Sequence, residues 1–125
     1  MLVNSKYRGK REYALVYREL ITAASYRGTV TYQEIAAIMG LPLTGSHMAR
    51  EVGLILGEIS EDEVNNGRPM LSAIAVSKDG RSSEGFFGLA KSLGRLTERD
   101  EAKDQQFWES ERKALYQLWQ KQFTK

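Results

Sequence analysis

Cysteine is absent from the 125-residue chain, and histidine occurs once, at position 47. The first absence excludes disulfides, thiolate metal sites and cysteine nucleophiles. The second excludes a histidine-rich zinc site. A Ser-His-Asp triad would have to use His47, and nothing around that residue suggests one. No stretch approaches the ~20 consecutive apolar residues of a membrane span. The opening segment, MLVNSKYRGKREY, lacks the apolar centre of a signal peptide. The expectation is a soluble, cytoplasmic protein with no membrane partner, no metal and no cofactor.

What is present is an ordinary globular composition, 42% apolar and 27% charged, at a length that fits one domain, residues 1–125. The net charge of +2 conceals an asymmetry. Residues 1–30 carry six Lys and Arg against two Glu, whereas residues 31–70 carry Arg50 and Arg68 against six acids. A basic N-terminal arm, residues 1–9, is placed to reach a phosphate backbone. A solvated helix face explains the same charges equally well.

The hydrophobic spacing predicts a mostly helical chain. Tyr13, Val16, Tyr17, Leu20 and Ile21 recur at helical intervals between Lys10 and Ala24, and Gly28 ends that unit. Thr31 followed by Glu34 is a capping box that starts a short helix through Met39. Gly40 and Pro42 stop it. Ser46 is the N-cap of the next helix, expected over His47 to Ile59. Two short helices joined by a tight turn form a helix-turn-helix. SEDEVNNG, residues 60–67, reads as an acidic turn, PMLSAIAV as a buried strand, and Asp79-Gly80 as a hairpin-type turn. Phe86 to Leu93 and residues 104 to about 122 read as further helices. In the last of these, Phe107, Trp108, Leu115, Leu118, Trp119 and Phe123 do not share one stripe. Some of that aromatic surface must meet the domain, a second subunit or a partner. The fold class expected is therefore mostly α with a small β element (α+β). In full, it is a winged helix-turn-helix domain with an extra C-terminal aromatic helix, residues 104–125.

The middle of the chain resembles a known family. VTYQEIAAIMGLP followed by MAREVGLILGEI is similar to the DNA-binding domain of alkylguanine-DNA alkyltransferases and the non-enzymatic alkyltransferase-like proteins. The matching positions are Thr31, Tyr32, Ile35 and Ala36, then Ala49, Arg50, Val52, Gly53 and Leu56. Asn66 ahead of Pro69-Met70-Leu71, and Gly88, Leu89 and Lys91 in GFFGLAKSLG, extend the likeness over residues 28–94. The resemblance implies a winged-helix domain on the minor groove of double-stranded DNA. It implies that Arg50 intrudes into the base stack and that Tyr32 lies against the phosphate of a rotated nucleotide. Gly53 would let the helix approach a backbone closely. The physics suits those roles. A guanidinium is permanently charged and planar, and it can fill the space of an extruded base. The helix N-terminus near Ser46 and His47 favours phosphate. Arg68, Lys78 and Arg81 complete the expected nucleic-acid-binding set.

The departures are as informative. The family's enzymes carry Pro-Cys-His-Arg where this chain has Leu71, Ser72, Ala73 and Ile74. Alkyl transfer to cysteine is excluded, and no other catalytic constellation stands out. Glu58, Glu61, Asp62 and Glu63 are expected to crowd the end of the recognition helix and to repel phosphates. Their spacing fits no calcium loop. Two readings follow. One is a non-catalytic DNA-binding protein in damage recognition or regulation. The other is a protein-interaction module that keeps the scaffold without the DNA surface, with dimerisation or a partner at Trp108 and Trp119.

Overall fold

A capping box and two left-handed glycines punctuate the middle of the chain. Thr31 Oγ1 accepts the Glu34 N–H at 3.1 Å, and Glu34 Oε1 accepts the Thr31 N–H at 3.0 Å. The computed structural model describes residues 5–97 and 100–123. Within them lie helices α1 (Arg11–Ser25), α2 (Tyr32–Met39), α3 (Ser46–Asn65), α4 (Glu84–Ser92) and α5 (Glu101–Phe123). Strands β1 (Val30–Thr31) and β2 (Ala75–Val76) form a parallel pair, with Val30 opposite Ala75 and Thr31 opposite Val76. The fold is mostly helical with a small two-stranded sheet. The expected arm residues 1–4 and the end of the expected last helix, residues 124 and 125, lie outside the described residues. So do the connector residues 98 and 99.

Gly40 closes α2 at φ 75°, as its position before Pro42 predicts. Gly45, at φ 100°, is the residue that precedes α3. Ser46 is therefore the first helical residue rather than the expected N-cap. A glycine at this φ turns the chain sharply but offers no side-chain oxygen to the first N–H groups.

The largest difference from the sequence reading concerns residues 60–67. They do not form an acidic loop: α3 runs on to Asn65. At 20 residues it spans roughly 30 Å. Carboxylates near a helix C-terminus oppose its dipole, and α3 has no basic residue in its own last turn. Cations from elsewhere compensate. Arg68 binds Glu63, and Arg8 binds Glu61 and Asp62. The Asn66 side-chain amide donates to Asp62 O at 2.8 Å, and Gly67, at φ 73°, completes the stop.

The expected strand at residues 69–76 is also shorter. Leu71–Ile74 forms a 3-10 turn, and pairing is confined to Ala75–Val76. All of these residues are buried. A fully buried apolar run reads alike as strand or helical turn, so alternation carries no information here.

The core has two parts. Val16, Leu20, Ile35, Val52, Ile55 and Ile59 belong to the first, with Leu115 from α5. Met70, Ala73, Val76, Phe86, Phe87, Ala90 and Trp108 form the second. The aromatics of α5 fall on diverging faces because the helix crosses both. Its first half supplies Trp108 and Phe107, the latter stacked on Phe86 at 5.8 Å between centroids. Its second half supplies Leu115, Tyr116 and Trp119. Trp108 is 7% exposed, and its indole N–H donates to Ala73 O at 2.8 Å. Arg112 covers the ring's other side at 4.0 Å.

Trp108 thus anchors α5 to the turn that precedes β2. Trp108→Ala is expected to lower the unfolding free energy by about 3–5 kcal/mol, read from urea denaturation followed by circular dichroism. A loss below about 1 kcal/mol would contradict this packing role.

Candidate nucleic-acid interface

The first two turns of α3 carry four of the eight residues singled out by sequence, Ser46, His47, Arg50 and Gly53. Ser46, His47, Ala49, Arg50 and Gly53 are exposed, while Met48 and Val52 between them turn into the core. Arg50 leaves 67% of its side chain in solvent. Its Nη2 lies 3.2 Å from His47 Nδ1, and its Nε lies 3.5 Å from Glu51 Oε2. The His47 contact is solvent-facing, whereas Glu51 on the other side is buried and also held by Lys6 and Tyr7.

Tyr32 opens α2 and is half-buried beside α3. Its hydroxyl oxygen accepts the Ser83 N–H at 3.2 Å. That bond ties the end of the 77–83 turn to the front of α2. Lys78 and Arg81 stand exposed on the turn, which Ser77 closes by donating its N–H to Arg81 O at 2.9 Å. Arg81 meets Asp79 only at 3.7 Å, with both side chains largely exposed.

Between these elements lies a pocket of about 410 Å³. Tyr32 and Gln33 of α2 line it, with Met48, Ala49, Val52, Gly53 and Leu56 of α3. Ser72, Ser83, Gly85, Phe86 and Leu89 complete the lining. Gly53 is informative. A Cβ added there would meet nothing within 4 Å. The chain's own packing does not require the glycine, which costs a helix ~1 kcal/mol relative to alanine. What the glycine preserves is open space at the pocket wall.

Arg68 does not join this group. It follows the far end of α3, roughly 30 Å from Ser46, and its Nε and Nη2 donate to Glu63 Oε2 and Oε1, at 2.6 and 3.0 Å. The Glu63 carboxylate beside it raises its pKa above the usual arginine value. It is a structural cation and leaves the nucleic-acid set.

The acidic residues are likewise not where the sequence puts them. Glu58, Glu61 and Glu63 are buried, and they face the N-terminal arm and α1 rather than solvent. The Glu58 carboxylate accepts the main-chain N–H groups of Lys6, Tyr7 and Arg8 at 2.8–3.1 Å. Successive N–H groups closing on one anion form a nest. Arg8 reaches Glu61 Oε1 at 2.7 Å and Asp62 Oδ1 at 3.0 Å. Lys6 reaches Glu51 Oε1 at 2.6 Å, and the Tyr7 hydroxyl binds the same oxygen. Tyr13 donates to Asp62, and Tyr17 donates to Glu63 at 2.6 Å. Residues 6–8 of the arm therefore form a strap over α3, not a free tentacle for phosphate. Lys6, Arg8 and Arg68 offset part of that acidic charge inside the molecule.

Sequence reasoning missed Gln33, Ser72, Ser83 and Phe86 as pocket residues. Gln33 adjoins Tyr32 at a helix start, which was an available signal. Ser72 and Ser83 carry none, because only the tertiary fold brings them to α2 and α3. Among the described residues no group of three or more His, Asp or Glu is placed to hold a metal ion. No described helix is long and apolar enough to cross a membrane. No protein-family model, no curated protein and no solved structure matches this chain.

The strap network sets two pH limits. The Lys6 ammonium and the Tyr7 hydroxyl, both hydrogen-bonded to Glu51, hold its carboxyl down at about 2, against an ordinary 4.5. A depressed carboxyl contributes stability that is whole above its ordinary value and is lost as pH falls toward 2. Burial, then the bond to Glu51, pushes Tyr7 up to about 12; burial, then Glu63, does the same to Tyr17. Those contributions are whole below pH 10, the ordinary tyrosine value, and are lost as pH rises toward 12. The Tm is expected to fall on both limbs, and Tyr7→Phe is expected to flatten the alkaline one. A Tm unchanged from pH 5 down to about 2 would contradict the Glu51 contacts.

Proposed function

We propose that this chain is a non-catalytic protein that binds double-stranded DNA. It would use a winged-helix surface of the alkyltransferase-like type and act in the cytoplasm in damage recognition or regulation. The observation that carries the reading is the pocket at the front of α3, lined by Tyr32 and Gly53, with Arg50 exposed next in sequence to the lining residue Ala49 and with Glu58, Glu61 and Glu63 buried toward the strap. In this reading the Ser77–Arg81 turn, with Lys78 and Arg81 exposed on it, would serve as the wing.

The physical division of labour is simple. Lys78, Arg81 and the uncapped first turn of α3 meet phosphates, which fix register without reading sequence. Arg50 is the exposed guanidinium on the first turns of α3. It enters the space of a displaced base while that base moves into the cavity. Unstacking a damaged or mismatched base costs less than unstacking a sound one, so the same geometry favours lesions without any bond being made or broken. The alternative reading, an interaction module at Trp108 and Trp119, loses one of its two anchors. Trp108 is 7% exposed and packed within the chain itself.

A fluorescence-anisotropy titration of a labelled duplex at low salt tests the proposal. Binding is expected, with log affinity falling linearly with log salt. Arg50→Ala should weaken it by about 1–3 kcal/mol and reduce any preference for an alkylated duplex. Replacing Lys78 or Arg81 with alanine should lower the salt slope by about one each, leaving lesion preference intact. No binding at low salt, to plain or alkylated duplex, would overturn the proposal.

A further inference from the structure

The strap and the front of α3 share one carboxylate. Glu51, whose side chain is 4% exposed, turns Oε1 to the strap and Oε2 to Arg50. Lys6 Nζ reaches Oε1 at 2.6 Å, and the Tyr7 hydroxyl donates to the same oxygen. Arg50 Nε stands 3.5 Å from Oε2, beyond the ~2.7–2.9 Å of a charge-assisted hydrogen bond. Among the described residues, Lys6 and Arg50 are the cations paired with Glu51, and only Lys6 is bonded closely.

A buried carboxylate keeps its charge only while partners satisfy it. Lys6 and Tyr7 do most of that here, and they hold the Glu51 carboxyl at about 2. Without those two donors the demand falls on Arg50, the remaining cation. Neighbouring helical residues do not face one another, so a closer bond to Glu51 draws the guanidinium sideways across α3. Arg50 then gives up part of the exposure, 67% of its side chain, that a ligand would use. We infer that Glu51 is a positioning residue that couples the strap to Arg50. With Lys6 and Tyr7 on the carboxylate, Arg50 is left to DNA; without them, Glu51 captures Arg50 and DNA affinity falls. The coupling rests on these contacts alone, and its effect on DNA rests on the proposed function.

Tyr7→Phe is the decisive variant, because it removes one bond to Glu51 without changing the net charge. Lys6→Met removes the other, and circular dichroism checks that each variant folds. The Arg50 Nε–Hε NMR signal, assigned by its loss in Arg50→Ala, is followed first without DNA. Exchange of Hε with water should slow about threefold in Tyr7→Phe and further in Lys6→Met, and quicken in Glu51→Gln. In the duplex titration, affinity should fall about threefold for Tyr7→Phe and about tenfold for Lys6→Met. Both losses should disappear when Glu51→Gln or Arg50→Ala is added, which completes double-mutant cycles. A loss caused by charge or stability alone would persist there. Losses that survive Glu51→Gln would therefore overturn the role of Glu51. An unchanged Hε signal in both strap variants would overturn the coupling, whether or not DNA binds. Slowed exchange with duplex affinity unchanged would overturn its effect on binding. Slowed exchange with no duplex binding by any variant would support the coupling and overturn DNA as the ligand of Arg50.

Discussion

The Glu58 carboxylate is fully buried midway along α3, and three successive main-chain N–H groups of the strap close on it. A buried carboxylate is tolerated only when its oxygens are satisfied, so the docking of residues 6–8 and the burial of Glu58 require each other. The neighbours follow from that contact. Once the strap lies over the helix, Lys6 meets Glu51 and Arg8 meets Glu61 and Asp62. Tyr7 becomes part of the first core cluster. The acidic face of α3 is thereby turned inward and its charge partly offset. At the front of the helix Arg50 and His47 remain in solvent. Electrostatics thus assigns different faces of one helix to different tasks. The face that carries Glu51, Glu58, Glu61 and Asp62 holds the N-terminal segment, and the face that carries His47 and Arg50 points outward.

Much of the helical framework was legible because it rests on local rules. The capping box at Thr31 and the stop at Gly40 come from neighbouring residues alone, and both stand as read. The apolar spacing of α1 and the front of α3 gives their buried faces. What was not legible depends on contacts between distant residues. The carboxylates of 58–63 read as a loop because a charged, turn-rich segment normally faces water. Their partners lie about fifty positions earlier in the chain, and no local pattern reveals that pairing. The balancing excess of cations in residues 1–30 was the only trace of it in the sequence. The same distance effect removed Arg68 from the proposed surface and gave it to Glu63.

The site shows a similar split. Tyr32, Arg50 and Gly53 were legible as a group, because their motif positions place them at the starts of two packed helices. The cavity lined by Tyr32 and Gly53 was not, since five of its twelve lining residues are Ser72 and members of the 83–89 segment. The α5 aromatics illustrate the remaining ambiguity. Their diverging faces fitted either an interface or two internal contacts, and Trp108 with its bond to Ala73 shows internal packing at that position.

The central claim is that the front of α3, and not the strap or α5, meets DNA. Amide chemical-shift mapping of the whole chain with a short duplex at low salt tests it most directly. The account predicts perturbations at Tyr32, Gln33, Ser46–Gly53 and Lys78–Ser83, with Arg8, Glu58–Glu63 and Arg68 unmoved. Perturbations centred on the strap or on α5, with none at the front of α3, would contradict it.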